Sequence, residues 1–160
     1  MKTQFTFNIL LTIIWVMITG DMSFANITFA FLMAYGILWI VSRGGGRSQR
    51  RYFVIIPRII RLFFFFLKEL VKANLQVAYE VMTPKYNMTP GMVAVPIDVK
   101  TDFEISLLAY LISLTPGTIS IDVSTNRKVL YIHAMYIPDK EEFIKEIKEG
   151  FEKRILEISE

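Results

Sequence analysis

Residues 5–41 read FTFNILLTIIWVMITGDMSFANITFAFLMAYGILWIV. Two uncharged apolar runs, Phe5–Gly20 and Phe24–Val41, are separated by Asp21, Met22 and Ser23. As helices of sixteen and eighteen residues they reach about 24 and 27 Å. That is slightly short of a hydrocarbon layer about 30 Å thick, but viable once polar flanks sit in the interface. A buried helical pair in a soluble core fits poorly, because neither run offers water a charged face. A cleaved secretory signal is the second rival, since Lys2, the first run and Ser23-Phe24-Ala25 imitate one. A single Lys precedes the run, however, and another apolar run follows directly. The stretch is read as a helical hairpin in a membrane.

Lys and Arg counts orient such a hairpin. The connection carries only Asp21, whereas Arg43, Arg47, Arg50 and Arg51 follow the second run. Both ends are therefore expected in the cytoplasm and the short turn outside. Gly44-Gly45-Gly46 is read as a hinge, because the spacing of a phosphate-binding loop is absent. Neither run contains Asp, Glu, Lys, Arg or His. Ion and proton paths through membranes usually depend on such groups, so this chain alone is a poor candidate for a pump, channel or transporter. The amides Asn8 and Asn26 either bridge to a neighbouring helix or lie near the interface.

Outward from the hairpin comes FVIIPRIIRLFFFFLKELVKANLQVAY, Phe53–Tyr79. At 100° per residue, Arg58, Arg61, Lys68, Glu69, Lys72, Gln76, Tyr79 and Glu80 share one side of a helix, and most Phe and Ile take the other. Phe65 strays onto the polar side. Pro57 suits an early helical turn. Twelve residues of Phe53–Leu67 are Leu, Ile, Phe or Val and favour insertion by roughly 4–7 kcal/mol, which Arg58 and Arg61 nearly cancel at about 2.5–3.5 each. Basic flanks on both sides break the tie. The segment is expected to lie in the interface as an amphipathic helix, with Arg43, Arg47, Arg50, Arg51, Arg58, Arg61, Lys68 and Lys72 as its membrane-surface or partner-binding residues. A third, tilted membrane-spanning helix is the alternative.

Met82–Gly91, MTPKYNMTPG, is turn chemistry and begins a different pattern. Val93, Val95, Ile97 and Val99 alternate as a strand. Thr101-Asp102-Phe103-Glu104 resembles a capping box opening a helix through Leu114, and Thr115-Pro116-Gly117 stops it. Thr118–Ser124 alternates strictly, with Ile119, Ile121 and Val123 against polar partners, and reads as a half-buried strand with a solvated polar face. Thr125-Asn126-Arg127 turns the chain into a second strand, Lys128–Ile137, making a hairpin. Pro138-Asp139 opens an amphipathic helix ending near Ile158, whose Phe143, Ile147, Phe151 and Ile155 face the sheet. The order β-α-β-β-α predicts a three-stranded sheet with helices on one face.

Charge follows the same partition. The 160 residues are 53% hydrophobic, 14% aromatic and 21% charged, with mean hydropathy +0.42, which excludes disorder and favours a membrane protein. Residues 1–42 are neutral, residues 43–91 carry +7 and residues 92–160 carry −4. Three environments are implied: residues 1–42 a transmembrane hairpin, 43–91 a basic bend and surface helix, 92–160 a cytoplasmic α+β domain. With no Cys, disulfides and thiolate chemistry are excluded.

No enzyme constellation emerges. His133, the single histidine, is in phase with Val129, Tyr131 and Met135 and reads as a packed strand residue. Asp98, Asp122 and Asp139 lack metal-ligand spacing, and the charge run Asp139–Lys153 reads as a solvated helix face. No catalytic residue, metal or cofactor is expected. The basic middle suits lipid headgroups better than nucleic acid.

Leu107–Thr118, LLAYLISLTPGT, followed by Val129–Ala134, VLYIHA, resembles the E-type subunit family of the Mrp-type (multiple resistance and pH) Na+/H+ antiporter. Glu69–Asn74 and Pro90-Gly91 also look like that family. The resemblance implies an accessory subunit of a hetero-oligomeric cation/proton antiporter in a bacterial plasma membrane. Its partners would be the other subunits and a bilayer with anionic headgroups, and its ion path would lie in larger sister subunits. One departure matters: the family often carries an acidic residue three positions after the His, where this chain has Tyr136. The expected fold is thus a membrane α-helical hairpin, an interfacial amphipathic helix and a small cytoplasmic α+β domain. The alternative function is a freestanding membrane-tethered binding module.

Overall fold

The computed structural model describes residues 2–42, 44, 47–84 and 88–159. The chain forms two compact units, Met1–Pro57 and Arg58–Glu160.

In the first unit, helices α1 (Lys2–Thr19) and α2 (Phe24–Ser42) pack together. Gly20 ends α1 at φ +65, a conformation that costs other residues strain. The Asp21 carboxylate accepts from the Ser23 amide at 2.8 Å and its hydroxyl at 2.9 Å, tightening the turn. Asn26 is a bridge. Its amide donates to Thr19 Oγ1 at 2.8 Å, and its carbonyl accepts from Trp15 Nε1 at 3.1 Å. Asn8 is fully buried and donates to Tyr52 Oη at 3.1 Å, so both amides join helices. Ala30 and Ala34 are buried, small residues that let helices approach closely. The large apolar side chains point outward, with Met17, Ile18, Met22 and Phe24 among the most exposed. Phe24–Ser42 is long and apolar enough to cross a membrane; the apolar stretch Thr3–Thr19 is shorter.

Helix α3 runs Arg47–Met82, with Pro57 inside it. It therefore begins six residues before the expected Phe53, and Pro57 is interior rather than in an early turn. Its missing N–H breaks one ladder bond there, and the two units divide at this residue. Of the expected glycine hinge, Gly44 forms a turn and Gly45 and Gly46 lie outside the described residues.

The second unit contains β1 (Gly91–Pro96), α4 (Asp102–Ser113), β2 (Thr118–Val123), β3 (Val129–Ala134), α5 (Lys140–Ile147) and α6 (Lys153–Ser159). The sheet is antiparallel, in the order β1-β3-β2. Val93, Val95, Ile97 and Val99 are all buried, as their alternation requires. They meet Ile105, Leu108 and Ile112 of α4, Leu130 and Ile132 of β3, and Phe143, Ile147, Phe151 and Ile155. The capping box is present: Glu104 N donates to Thr101 Oγ1 at 3.2 Å, and Thr101 N to Glu104 Oε2 at 3.0 Å.

Three expectations need correction. The last helix is not continuous α-helix: a π-helical turn, Lys148–Glu152, separates α5 from α6. Apolar residues every four positions drift off a face with 3.6 residues per turn, and one wider turn restores them. The charge run is not wholly solvated either. Glu152 is 1% exposed. Its Oε1 accepts from the amides of Asp98 and Val99, and Lys148 lies 4.0 Å away. Finally, β2 is turned the other way round. Ile119 and Ile121 are 54% and 51% exposed, while Thr118 and Ser120 point to α4. Thr118 Oγ1 donates to the Ile112 carbonyl at 2.6 Å and Ser120 Oγ to the Ala109 carbonyl at 3.1 Å, pairing groups near the helix end. A bulge between Ser120 and Asp122 then returns Val123 to the inner side opposite Leu130.

Candidate functional site

The second unit presents α3 from Arg58 onward with two unlike sides. On one side Leu62 is buried in the domain core, with Phe65 and Phe66 packed against it. Phe65 and Phe151 meet edge to face, centroids 5.1 Å apart at 75°. The Arg154 guanidinium lies 3.8 Å from the Phe65 ring centre and donates to the Glu149 and Gly150 carbonyls at 2.9 and 2.7 Å. A Cβ on Gly150 would stand 3.2 Å from Phe65 Cζ, so the π turn is open where this ring enters. Beside the contact runs a groove of about 330 Å³, lined by Phe65, Glu69, Lys72, Phe143, Glu146 and Arg154 among others.

On the other side Ile60, Phe63, Phe64, Val71 and Leu75 are between 50% and 66% exposed. Uncovered apolar area of this extent is unusual for a helix facing water. Cations follow one flank of it. Arg61, Lys68 and Lys72 have side chains 68%, 76% and 62% exposed, with carboxylates 3.9–4.0 Å away at Glu157 and Glu69. Such exposed pairs contribute little to stability. They leave the charges available to a surface.

Of the eight expected basic residues, four have described side chains, all in the second unit. Arg61, Lys68 and Lys72 share the flank. Arg58 is part-buried and donates to the Glu157 carbonyl, tying α3 to α6. Arg47, Arg50 and Arg51 lie in the first turns of α3, and Arg43 lies outside the described residues. Sequence reasoning missed Leu62, Phe65, Gly150 and Arg154 as the seat of α3 on the domain. The signal was Phe65 on the polar side, which marks a second buried face.

Two titratable groups stand out. A hydrogen bond from Ser159, then the Thr101 and Lys100 amides, hold Glu104 down at about 2 against an ordinary 4.5. Burial, and then the Glu80 carboxylate, push the Tyr136 phenol up. Tyr136, at the position where the resembling family often carries an acid, therefore neighbours an acid from α3. Among the described residues no group of three or more His, Asp or Glu is placed to hold a metal ion. His133 is half-buried on β3, opposite Met92 and Ile119.

The described residues comprise an apolar helix pair, of which Phe24–Ser42 is long and apolar enough to cross a membrane, an amphipathic helix and a small three-stranded α+β domain. The model of a family described as Na+/H+ ion antiporter subunit matches residues 8–158. The E-type Na(+)/H(+) antiporter subunit of Alkalihalophilus pseudofirmus is 42% identical over 161 residues, covering 99% of each chain. A chain in the solved structure of the membrane-bound sulfane sulfur reductase, an archaeal respiratory membrane complex, is 27% identical at TM-score 0.54, covering 95% of this chain and 96% of that one. A chain of the Mrp complex from Dietzia sp. DQ12-45-1b is 25% identical at TM-score 0.48, covering 62% of this chain and 93% of that one. The chain belongs to the E-type subunit family of Mrp-type Na+/H+ antiporters.

Proposed function

We propose that this chain is a non-catalytic structural subunit of a multisubunit monovalent cation/proton antiporter, required for assembly and activity of the complex. One observation carries the reading: from Thr3 to Ser42 the only charged side chain is Asp21, in the turn between the helices. A path for Na+ or protons usually needs acidic or basic groups at depth, so the translocating residues belong to other subunits. The hairpin crosses the bacterial plasma membrane twice, with the N-terminus and the α+β domain in the cytoplasm. Helix α3 lies in the inner leaflet interface. Ile60, Phe63, Phe64, Val71 and Leu75 enter the acyl boundary, and Arg61, Lys68 and Lys72 meet anionic headgroups. Arg58 serves the chain's own domain. The partners are the other antiporter subunits and the bilayer; nucleic acid is not among them.

Deleting the chain tests this reading. The expected result is loss of antiport together with loss of the assembled complex. A complex that assembles fully and exchanges Na+ for H+ without it would refute the proposal. Purification as a monodisperse 18.6 kDa species with no membrane partner would favour a tethered binding module instead. Orientation has a separate test: a reporter fused after Glu160 is active only on the cytoplasmic side if α3 stays in the interface.

A further inference from the structure

The outer face of the sheet is uncovered and apolar. Met92, Ile119 and Ile121 are 59%, 54% and 51% exposed. In register beside them stand Ala94 and Pro96, exposed, and Val129, Tyr131 and His133, half-buried. The chain reverses the usual arrangement of a one-sided antiparallel sheet, which turns polar residues to water. On β2 it spends Thr118 and Ser120 on α4 and leaves the isoleucines outside. The bulge adds Asp122 opposite Tyr131, the one ionised side chain in that register, at the edge of the patch.

We propose that this face is a docking surface for an apolar helix face of a sister subunit that carries a Lys or Arg at its rim, opposite Asp122. The inference rests on the subunit reading above and gives it a place. Charge and area select the occupant. Among the described residues no Lys or Arg stands on the outward register of the three strands, unlike the cation-flanked exposed face of α3, and Asp122 repels anionic headgroups, so lipid is disfavoured. The eight side chains present roughly 400 Å², the size of the largest apolar patch on a typical monomer, which is often a functional surface. Two copies apposed through it bury less than the ~1,200 Å² of a specific stable interface and place Asp122 near its own kind. An apolar helix inside a larger assembly has neither fault.

The test uses the full chain in the whole complex. A photo-crosslinking benzoylphenylalanine at position 119 is expected to give an adduct with a sister subunit as its main protein product. Ile121→Glu, on an exposed residue, is expected to leave chain abundance in membranes unchanged and to lower recovery of sister subunits with it at least tenfold. Adducts only with a second copy, adducts only with lipid, no adduct, or full recovery with Ile121→Glu would each overturn the inference while leaving the subunit reading intact. If the natural chain recovers no sister subunit, the subunit reading falls, and this inference with it.

Discussion

Replacing Phe65 with Ala separates the two faces of α3. Phe65 is packed on the core cluster, touches Phe151 edge to face at 5.1 Å, and carries Arg154 at 3.8 Å. Truncating a fully buried Phe costs about 3–5 kcal/mol; at partial burial about half of that is expected. The aromatic pair adds about 0.5–1.5 kcal/mol and the cation–π contact about 0.5–1. The loss should total about 2.5–5 kcal/mol. The neighbouring Phe64, 64% exposed, should lose less than about 0.5 kcal/mol on the same change. The assay is denaturant unfolding of the purified full chain in mild detergent, followed by far-UV circular dichroism. Trp15 and Trp39, the only tryptophans, report the hairpin independently. Equal losses for Phe64→Ala and Phe65→Ala, or a negligible loss for Phe65→Ala, would refute the packing described for α3.

Gly150→Ala should destabilise the natural chain, because Phe65 Cζ stands 3.2 Å from the new methyl. In a Phe65→Leu background the same change should become neutral or stabilising by up to about 1 kcal/mol, the helix preference for Ala over Gly; a double-mutant cycle in denaturant measures the change of sign. Glu104→Gln, which keeps a capping-box acceptor and loses the charge, should remove about 0.3–1 kcal/mol at pH 7. Glu104 is held at about 2 against 4.5, so its contribution is fully present above pH 4.5 and is lost as pH falls towards 2. The Gln variant should therefore show a flatter acid limb between those values in pH-dependent unfolding. Because the chain has no native Cys, Phe64→Cys can carry a single environment-sensitive dye in membranes. Blue-shifted emission, quenched by a lipid-phase quencher, is expected there, and water-like emission would contradict the surface assigned to α3.

Much of the fold was legible because its signals are local. The uncharged runs, the capping box at Thr101 and Glu104, the alternation at Val93–Val99 and the hairpin turn at Thr125–Arg127 each need only nearby residues. What escaped depends on distant neighbours. Strict alternation in β2 names two faces but does not say which is inside, and the carbonyls of α4 and a bulge decided that. Glu152 looked like any charge on a helix until the amides of Asp98 and Val99 reached it. The four-residue spacing of Phe143, Ile147, Phe151 and Ile155 did carry a readable sign, since no straight α-helix keeps that repeat on one line. For the site, a count of cations identified a basic helix, but not that Arg58 turns to its own domain while Arg61, Lys68 and Lys72 stay outside.

The central claim is that a chain whose apolar runs hold no acid, Lys, Arg or His helps other subunits move ions and moves none itself. The direct measurement reconstitutes the purified chain alone in liposomes bearing a pH gradient and follows lumenal pH when Na+ is added, beside liposomes holding the whole complex. The account predicts a response from the complex and, from the chain alone, a trace that overlays that of empty liposomes. A Na+-dependent pH change driven by the chain by itself would contradict it.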